Sequence, residues 1–491
     1  MLDGVVRQPP RWDSAAAALL LAGGFGLLAL GLAAGVTSTV PVAGLLLLAA
    51  IVVRRPYVPW PGVLAGLLLV ILFIPIRRYR MPGDMPFQLE PYRVLVALIL
   101  VAWLLALLAD PRVKLRRSGL EFPLTLVLVA VVGSIAANPG RVSAVEPTVV
   151  KTTTFFLTFF AVFYLVVSLV RTRGEADVLV KTLVGGGAVI AVLAAIEART
   201  GLSPFRRLDI VLPFLQRDEG AGDPVARGGT LRALGPAEHP IALSAALVLL
   251  VPFAVYLVRT AVSRWRWSLA LGALVVGVLA TVSRTGIVML LAVGLVFLWL
   301  RTRETVRLWP LLLPILVVTH FAAPGTLGSL KQAFLPEHGL IGEQSTTEFG
   351  CDSSGRLADI GPTLAEVSER PFLGHGFGTR IVTGPDANAC VLDNQWLGTL
   401  FDLGLLGLIA WLALFVVVLR RFGRLARAHT SADGWLLAAA VAASTAYGVG
   451  MLTYDAHGFI QVTFLLFILL ALGAGAARRL QGGSAWSRAV R

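Results

Sequence analysis

DNQWLGTLFDLGLLG, residues 393–407, opens with an acid and an amide, turns apolar within a few positions, and carries a second acid, Asp402, into the apolar run. The run continues without charge to Arg420. A stretch of that length crosses a ~30 Å hydrocarbon core, and it crosses as a helix because a spanning segment must satisfy its backbone groups internally. With a helix starting near Asp393, the 1.5 Å rise per residue puts Asp402 only about 13–14 Å along the axis, still in the outer half of the membrane. The acid and amide at the start therefore stand at the membrane surface, and the second acid is buried a few turns below.

The rest of the chain repeats this pattern. It has 491 residues, 57% of them hydrophobic and 14% charged, and a mean hydropathy of +0.81. Apolar runs of about 17–22 residues recur from end to end, which predicts an all-α polytopic membrane protein. About 14 (12–14) transmembrane helices are expected, starting near Ala15, Ser38, Pro61, Arg93, Leu120, Thr148, Val178, Pro240, Trp267, Thr285, Leu308, Gln395, Gly434 and His457. The two segments after Trp267 and Thr285, and the two after Gly434 and His457, read as tight hairpins. The first span lacks a convincing cleavage site and is expected to be retained.

The net charge of +14 does not call for a nucleic-acid partner. Placing the N-terminus in the cytoplasm puts Arg54–Arg55, Arg112–Arg117, Arg171–Lys181, Arg259–Arg266, Arg301–Arg307, Arg420–Arg427 and Arg478–Arg491 all inside, as short cytoplasmic segments of membrane proteins require. The basic residues on the outer side are the ones that need a reason. Three outer segments exceed a simple connector: Arg77–Tyr92, Glu197–His239 and Pro324–Asn394. The chain thus divides into residues 1–323 (helices 1–11, with an outer loop at 197–239), a large extracytoplasmic loop at 324–394 before the late helices, and residues 395–491 (the last three spans and a basic cytoplasmic tail). Both cysteines, Cys351 and Cys390, fall in the large loop. Oxidising conditions there favour a bridge over two separate thiols, although spacing alone does not fix the geometry.

Within the large loop an amphipathic helix is expected, capped by Ser353 or Ser354, with Leu357, Ile360, Leu364 and Val367 on one face and Pro371 ending it. It places Arg356 at the membrane surface. Arg284, in TVSRTG, sits between two tightly connected spans, where it either snorkels to water or faces a cavity to meet an anion. Arg232, in RALGPAEHP, stands just before a span. Guanidinium forks match phosphate oxygens and stay charged at any relevant pH. His239 and His375 lie at the outer edge beside Pro or Gly, as packed, solvated or substrate-binding side chains. No HExxH, CxxC or Asp-x-Asp pattern occurs, and the one Glu-x-Asp pair, Glu175 and Asp177, falls on an inner loop. The residues predict neither a metal site nor a cofactor.

RALGPAEHP opening a span, TVSRTG closing one, SGRL in a large outer loop, ERPFLGHGFGT and DNQWLGTLFDLGLLGLI together resemble the O-antigen ligase/polymerase family of bacterial membrane proteins, from about Arg232 to the end. The resemblance implies a metal-independent glycosyltransferase of the bacterial plasma membrane, working at its outer leaflet. Its donor would be a polyprenyl-diphosphate-linked glycan and its acceptor a glycan or lipid, with a flippase and a chain-length regulator as further partners. It also implies that Arg284 and Arg356 neutralise the leaving diphosphate, with Arg232 helping. Ligases of the family carry His-Asn, nine residues, then Gly-x-x-Gly. Here Asp393–Asn394 and Gly404–Gly407 keep the spacing while Asp replaces His, which leaves polymerase more open than ligase. Asp393 is then either a helix cap or the acceptor of a hydroxyl proton, and Asn394 an orienting group, with Asp402 expected to pair with a neighbouring helix. The competing class is a transporter or flippase for a lipid-linked sugar or small anion. Such carriers rely on ionisable residues in mid-span, which are scarce here apart from Asp402.

Overall fold

Outside the lipid a chain ends its helices with caps and glycines, and the helix Arg173–Thr200 shows both devices. Thr172 accepts from the Glu175 backbone, Glu175 reaches back to the Thr172 amide, and Gly201 closes the other end at φ +73°. The computed structural model describes residues 60–81, 90–109, 113–213, 215–217, 225–227, 230–307, 317, 360–382, 388–389 and 392–489. Its framework is α1 (Trp60–Phe73), α2 (Pro91–Ala109), α3 (Glu121–Ala137), α4 (Glu146–Leu169), α5 (Arg173–Thr200), α6 (Pro240–Thr260), α7 (Arg264–Ala280), α8 (Arg284–Leu300), α9 (Ile360–Glu369), α10 (Gln395–Val417), α11 (Ala432–Gly450) and α12 (Ile460–Ala489). Every expected span that falls on described residues has its helix. Those near Ala15, Ser38 and Leu308 lie outside the described residues. Among the described residues, α2, α4, α5, α6, α10 with its continuation to Ala428, and α12 are long and apolar enough to cross a membrane.

Helices α6, α11 and α12 form the centre. The apolar window of α12 is wholly buried, as a helix that is hydrophobic on every side must be. Ala438, Ala439, Ala440, Ala442 and Ala443 line α11, and such small residues let backbones approach closely. A methyl group on Gly473 of α12 would stand only 2.6 Å from the Ala440 methyl. Around this centre α5 packs on α1 and α7, α4 on α12, α8 on α11, and α3 on α10.

The hairpins sort the loops to two ends. One end gathers arginines: Arg301 donates to the carbonyls of Ala426 and His429, Arg421 to Gly119, Arg478 to Val167, and Arg479 pairs with Asp433 at 2.6 Å. These come from the basic segments that the sequence groups on one side. The other end holds the long connections. There the all-α expectation needs a small amendment, because β1 (Tyr79–Arg80) pairs antiparallel with β2 (Gln216–Arg217), and β3 (Val225–Arg227) with β4 (Thr230–Arg232). Away from hydrocarbon, backbone groups are free to find partners on another segment. The β1–β2 pair ties two of the long connections together.

The amphipathic helix is present as α9 and ends at Glu369, ahead of Pro371. Its buried side chains are Thr363 and Val367, while Leu364 is 46% exposed. Of the predicted face Val367 is buried and Ile360 half-buried, while Thr363 takes the place expected of Leu364. Where the surroundings are themselves apolar, a leucine gains little by facing protein, so apolar spacing alone does not set the face.

Candidate active site

The stretch at 393–407 folds as a helix broken at Gly404, which adopts φ +65° and ψ −163°. The break is filled by the preceding loop. Leu405 and Leu406 donate to the carbonyls of Pro371 and Phe372 at 2.8 and 3.2 Å, and His375 N–H donates to Phe401 O at 2.9 Å. Interstrand-like bonds thus replace the helical ones that the break removes. From the other side, Ser134 Oγ of α3 donates to Asp402 O at 2.6 Å and accepts from Phe377 N–H at 3.0 Å. Asn138 donates to Gly374 O at 3.0 Å and accepts from Arg370. His375 is buried and stacked on Phe401, centroids 4.7 Å apart, and burial lowers its pKa.

Asp402 finds its partner in this loop and not on a neighbouring helix. Arg380 Nε donates to Asp402 Oδ1 at 2.9 Å and Nη2 to Oδ2 at 3.5 Å, both side chains being largely buried. The guanidinium also lies 5.7 Å from the Phe401 centroid. The docked loop carries the cation to the acid, so the spacing of helices could not reveal the pair.

At the mouth of α10 the cap is Asn394, whose Oδ1 accepts from Leu397 N–H at 3.2 Å. Asp393 precedes the cap and is half-buried. Gln395 N–H donates to Met451 O at 2.7 Å, and its Oε1 accepts from His457 N–H at 2.8 Å. The mouth is therefore fixed to the α11–α12 turn. His457 in that turn lies against Trp411, centroids 4.8 Å apart, and burial takes its imidazole down to about 3.

The 232–240 segment approaches the same turn from α6. His239 caps α6, its Nδ1 accepting from Ile241 N–H at 3.2 Å, and its ring stacks on Phe459 at 6.0 Å. Arg232 is buried and donates from Nε to Thr281 O at 3.0 Å. That carbonyl belongs to the α7–α8 turn, from which half-buried Arg284 begins α8 behind the Ser283 cap. Arg232 and Arg284 are thus held on one three-residue turn.

Beneath them lies a polar scaffold. Arg78, 2% exposed, donates to Gly235 O and Ala237 O at 3.1 and 2.8 Å. Glu197 accepts from Gly235 N–H at 2.8 Å and pairs with Arg206 at 3.3 Å. Glu238 pairs with Arg77 at 3.1 Å, and burial raises its carboxyl to about 7 against the opposing pull of Arg77. Glu90 pairs with Arg93 at 2.6 Å.

The structure holds Arg232 on the turn that leads into Arg284, and the 451–459 turn lies between His239, stacked on Phe459, and Gln395, which follows Asn394. His375 it places lower, against Phe401. Arg356, Cys351 and Cys390 lie outside the described residues. Sequence reasoning did not single out Arg77, Glu238, Arg380 or His457. Two of them carried a signal, because Glu238 lies inside RALGPAEHP and Arg380 directly follows ERPFLGHGFGT. Among the described residues no group of three or more His, Cys, Asp or Glu side chains is gathered to hold a metal ion. No curated protein matches the chain. Residues 269–412 match the family model of the O-antigen ligase, a span that contains Arg284, His375, Arg380, Asp393, Asn394 and Asp402.

Proposed function

From the match of residues 269–412 to the O-antigen ligase family model, we propose that this chain is of the O-antigen ligase/polymerase family and transfers a glycan from a polyprenyl diphosphate to an acceptor glycan or lipid at the outer leaflet. The family match supports membrane glycan ligase- or polymerase-type chemistry. The finer reading is supported above all by the convergence of Arg232 and Arg284 on the Thr281–Arg284 turn, at the same end as the Asp393–Asn394 mouth. The opposite, arginine-rich end belongs in the cytoplasm.

In this reaction the acceptor oxygen forms a bond to the anomeric carbon as the bond from that carbon to the phosphate oxygen breaks. The electron pair leaves with the diphosphate, and the acceptor's proton passes to Asp393. Charge grows on the leaving phosphate, so donors aimed at it stabilise the transition state by several kcal/mol where water is excluded. Arg232 and Arg284 supply such donors, with Arg356 as a third, and no step needs a metal. Asn394 and His239 border the acceptor side, and His375 backs it through the loop docked on Phe401.

The test is reconstitution with a polyprenyl-diphosphate glycan, following release of free carrier with and without acceptor. Arg284→Ala should abolish transfer, and Arg284→Lys, which keeps the charge and loses the fork, should impair it. Arg217→Ala, on an exposed strand, should leave it intact. Unchanged transfer in Arg284→Ala and Arg232→Ala would refute the clamp. Movement of intact donor across the bilayer without carrier release would make the protein a transporter.

A further inference from the structure

Arg77 and Val282 are the two non-glycine residues with a left-handed backbone among the described residues, at φ +59° and +49°. Both sit at the site end. Val282 belongs to the turn that presents Arg284. Arg77 belongs to no such turn and has no part in the transfer described above. A left-handed backbone disfavours an L side chain and persists only where the surroundings enforce it, which is common at functional positions.

Three segments enforce it here. Arg77 N–H donates to Glu90 Oε2 at 2.9 Å, and its Nη1 donates to Glu238 Oε2 at 3.1 Å and Gly458 O at 3.3 Å. These partners come from the start of α2, the 232–240 segment and the α11–α12 turn. Yet the Arg77 side chain stays 51% exposed. Its neighbour Arg78, fully buried on two carbonyls, already clamps the 232–240 segment. Holding the fold together therefore does not account for a second arginine that is strained, pinned along one edge and turned outward. Lys151 is the further cation within electrostatic reach of it, while Glu238, Glu90 and Asp455 favour its charged form and the first two orient it.

We propose that Arg77 contacts substrate, its outward guanidinium edge taking an oxyanion of the carrier-linked glycan, either a phosphate oxygen or the carboxylate of an acidic sugar. This rests on the transferase reading. Glu238 is then a positioning residue that aims the fork.

Arg77→Gly tests it, because glycine adopts this φ without strain and removes only the side chain. Melting temperature in detergent should stay within a few degrees of wild type, while KM for the carrier-linked donor rises at least tenfold; Arg77→Lys should raise it too. Sugar-free polyprenyl diphosphate, bound as a probe, distinguishes the two oxyanions. Weaker binding to Arg77→Gly assigns the phosphate. Unchanged binding with a raised KM for an acidic glycan assigns the sugar. Wild-type KM for every substrate overturns the proposal, and so does a melting temperature far below wild type, which would make Arg77 a structural clamp. Arg284→Ala run in parallel separates the two levels: if it loses transfer while Arg77→Gly does not, only this inference fails, and if neither loses it, the transferase reading fails.

Discussion

Gly404→Ala should undock the 371–377 loop from α10. Gly404 occupies φ +65°, ψ −163°, a region open in practice only to glycine, and forcing another residue there costs about 1–3 kcal/mol. Space makes it worse, since an added Cβ would stand 2.4 Å from Phe372 C and 2.5 Å from its carbonyl oxygen. Those atoms are backbone and can yield only by moving the loop. Moving it breaks the bonds from Leu405, Leu406 and His375, at roughly 1 kcal/mol each. The sum, about 4–6 kcal/mol, is a large share of the 5–15 kcal/mol that typically holds a domain together. Thermal unfolding in detergent, with hydrogen exchange read over residues 371–380, measures both consequences. Gly66→Ala is the control: nothing lies within 4 Å of its would-be Cβ in α1, so alanine should match wild type or gain up to about 1 kcal/mol. If Gly404→Ala melts with wild type and the loop stays protected, the break does not depend on glycine and the docking argument is wrong.

Asp402→Ala should cost about 3–5 kcal/mol by leaving Arg380 buried without its counter-charge, and the double change Asp402→Leu/Arg380→Met should recover most of that; equal melting of the single and double variants would show that the pair carries little. Glu238 binds its proton up to about pH 7 when folded, against a reference value of 4.5, so its contribution is full below about pH 4.5 and is lost as pH rises to 7, by about 3 kcal/mol in total. Glu238→Gln removes that slope, and since His457 slopes the other way, the difference between the wild-type and variant curves is the quantity to compare; parallel curves would refute the assignment. Asn394→Ala should lose about 1 kcal/mol as a cap and Asp393→Asn almost none, while Asp393→Asn should slow transfer by roughly 10²–10⁴-fold. A fully active Asp393→Asn enzyme would send the search for the base to His239 and His375.

The helices were legible because lipid imposes one rule on every spanning segment, so length and apolarity place α2, α6 or α10 without any knowledge of neighbours. The site was legible only as motifs. Asp393 and Asn394 can each cap a helix, and only the observed φ/ψ and the bond to Leu397 give the cap to Asn394 and leave Asp393 at the mouth. Asp402 looked like an acid in need of a neighbouring helix because its partner arrives on a loop, and that loop docks only because α10 breaks at a glycine indistinguishable in sequence from Gly407. Arg77 and Arg78 read alike as adjacent charges at the end of a span, yet one is wholly buried and the other half exposed.

These failures share a cause. Local rules predict what each residue does when its own propensities win, and at Gly404, Val282 and Arg77 they lose to contacts made by segments far along the chain. A fold accepts such losses where something other than stability fixes the geometry. Among the described residues, the left-handed ones other than glycine are Val282 and Arg77, beside or at an arginine on the site end, and the broken helix begins just after the acid–amide pair. The disagreement between local preference and structure is therefore itself a guide to where the chemistry lies.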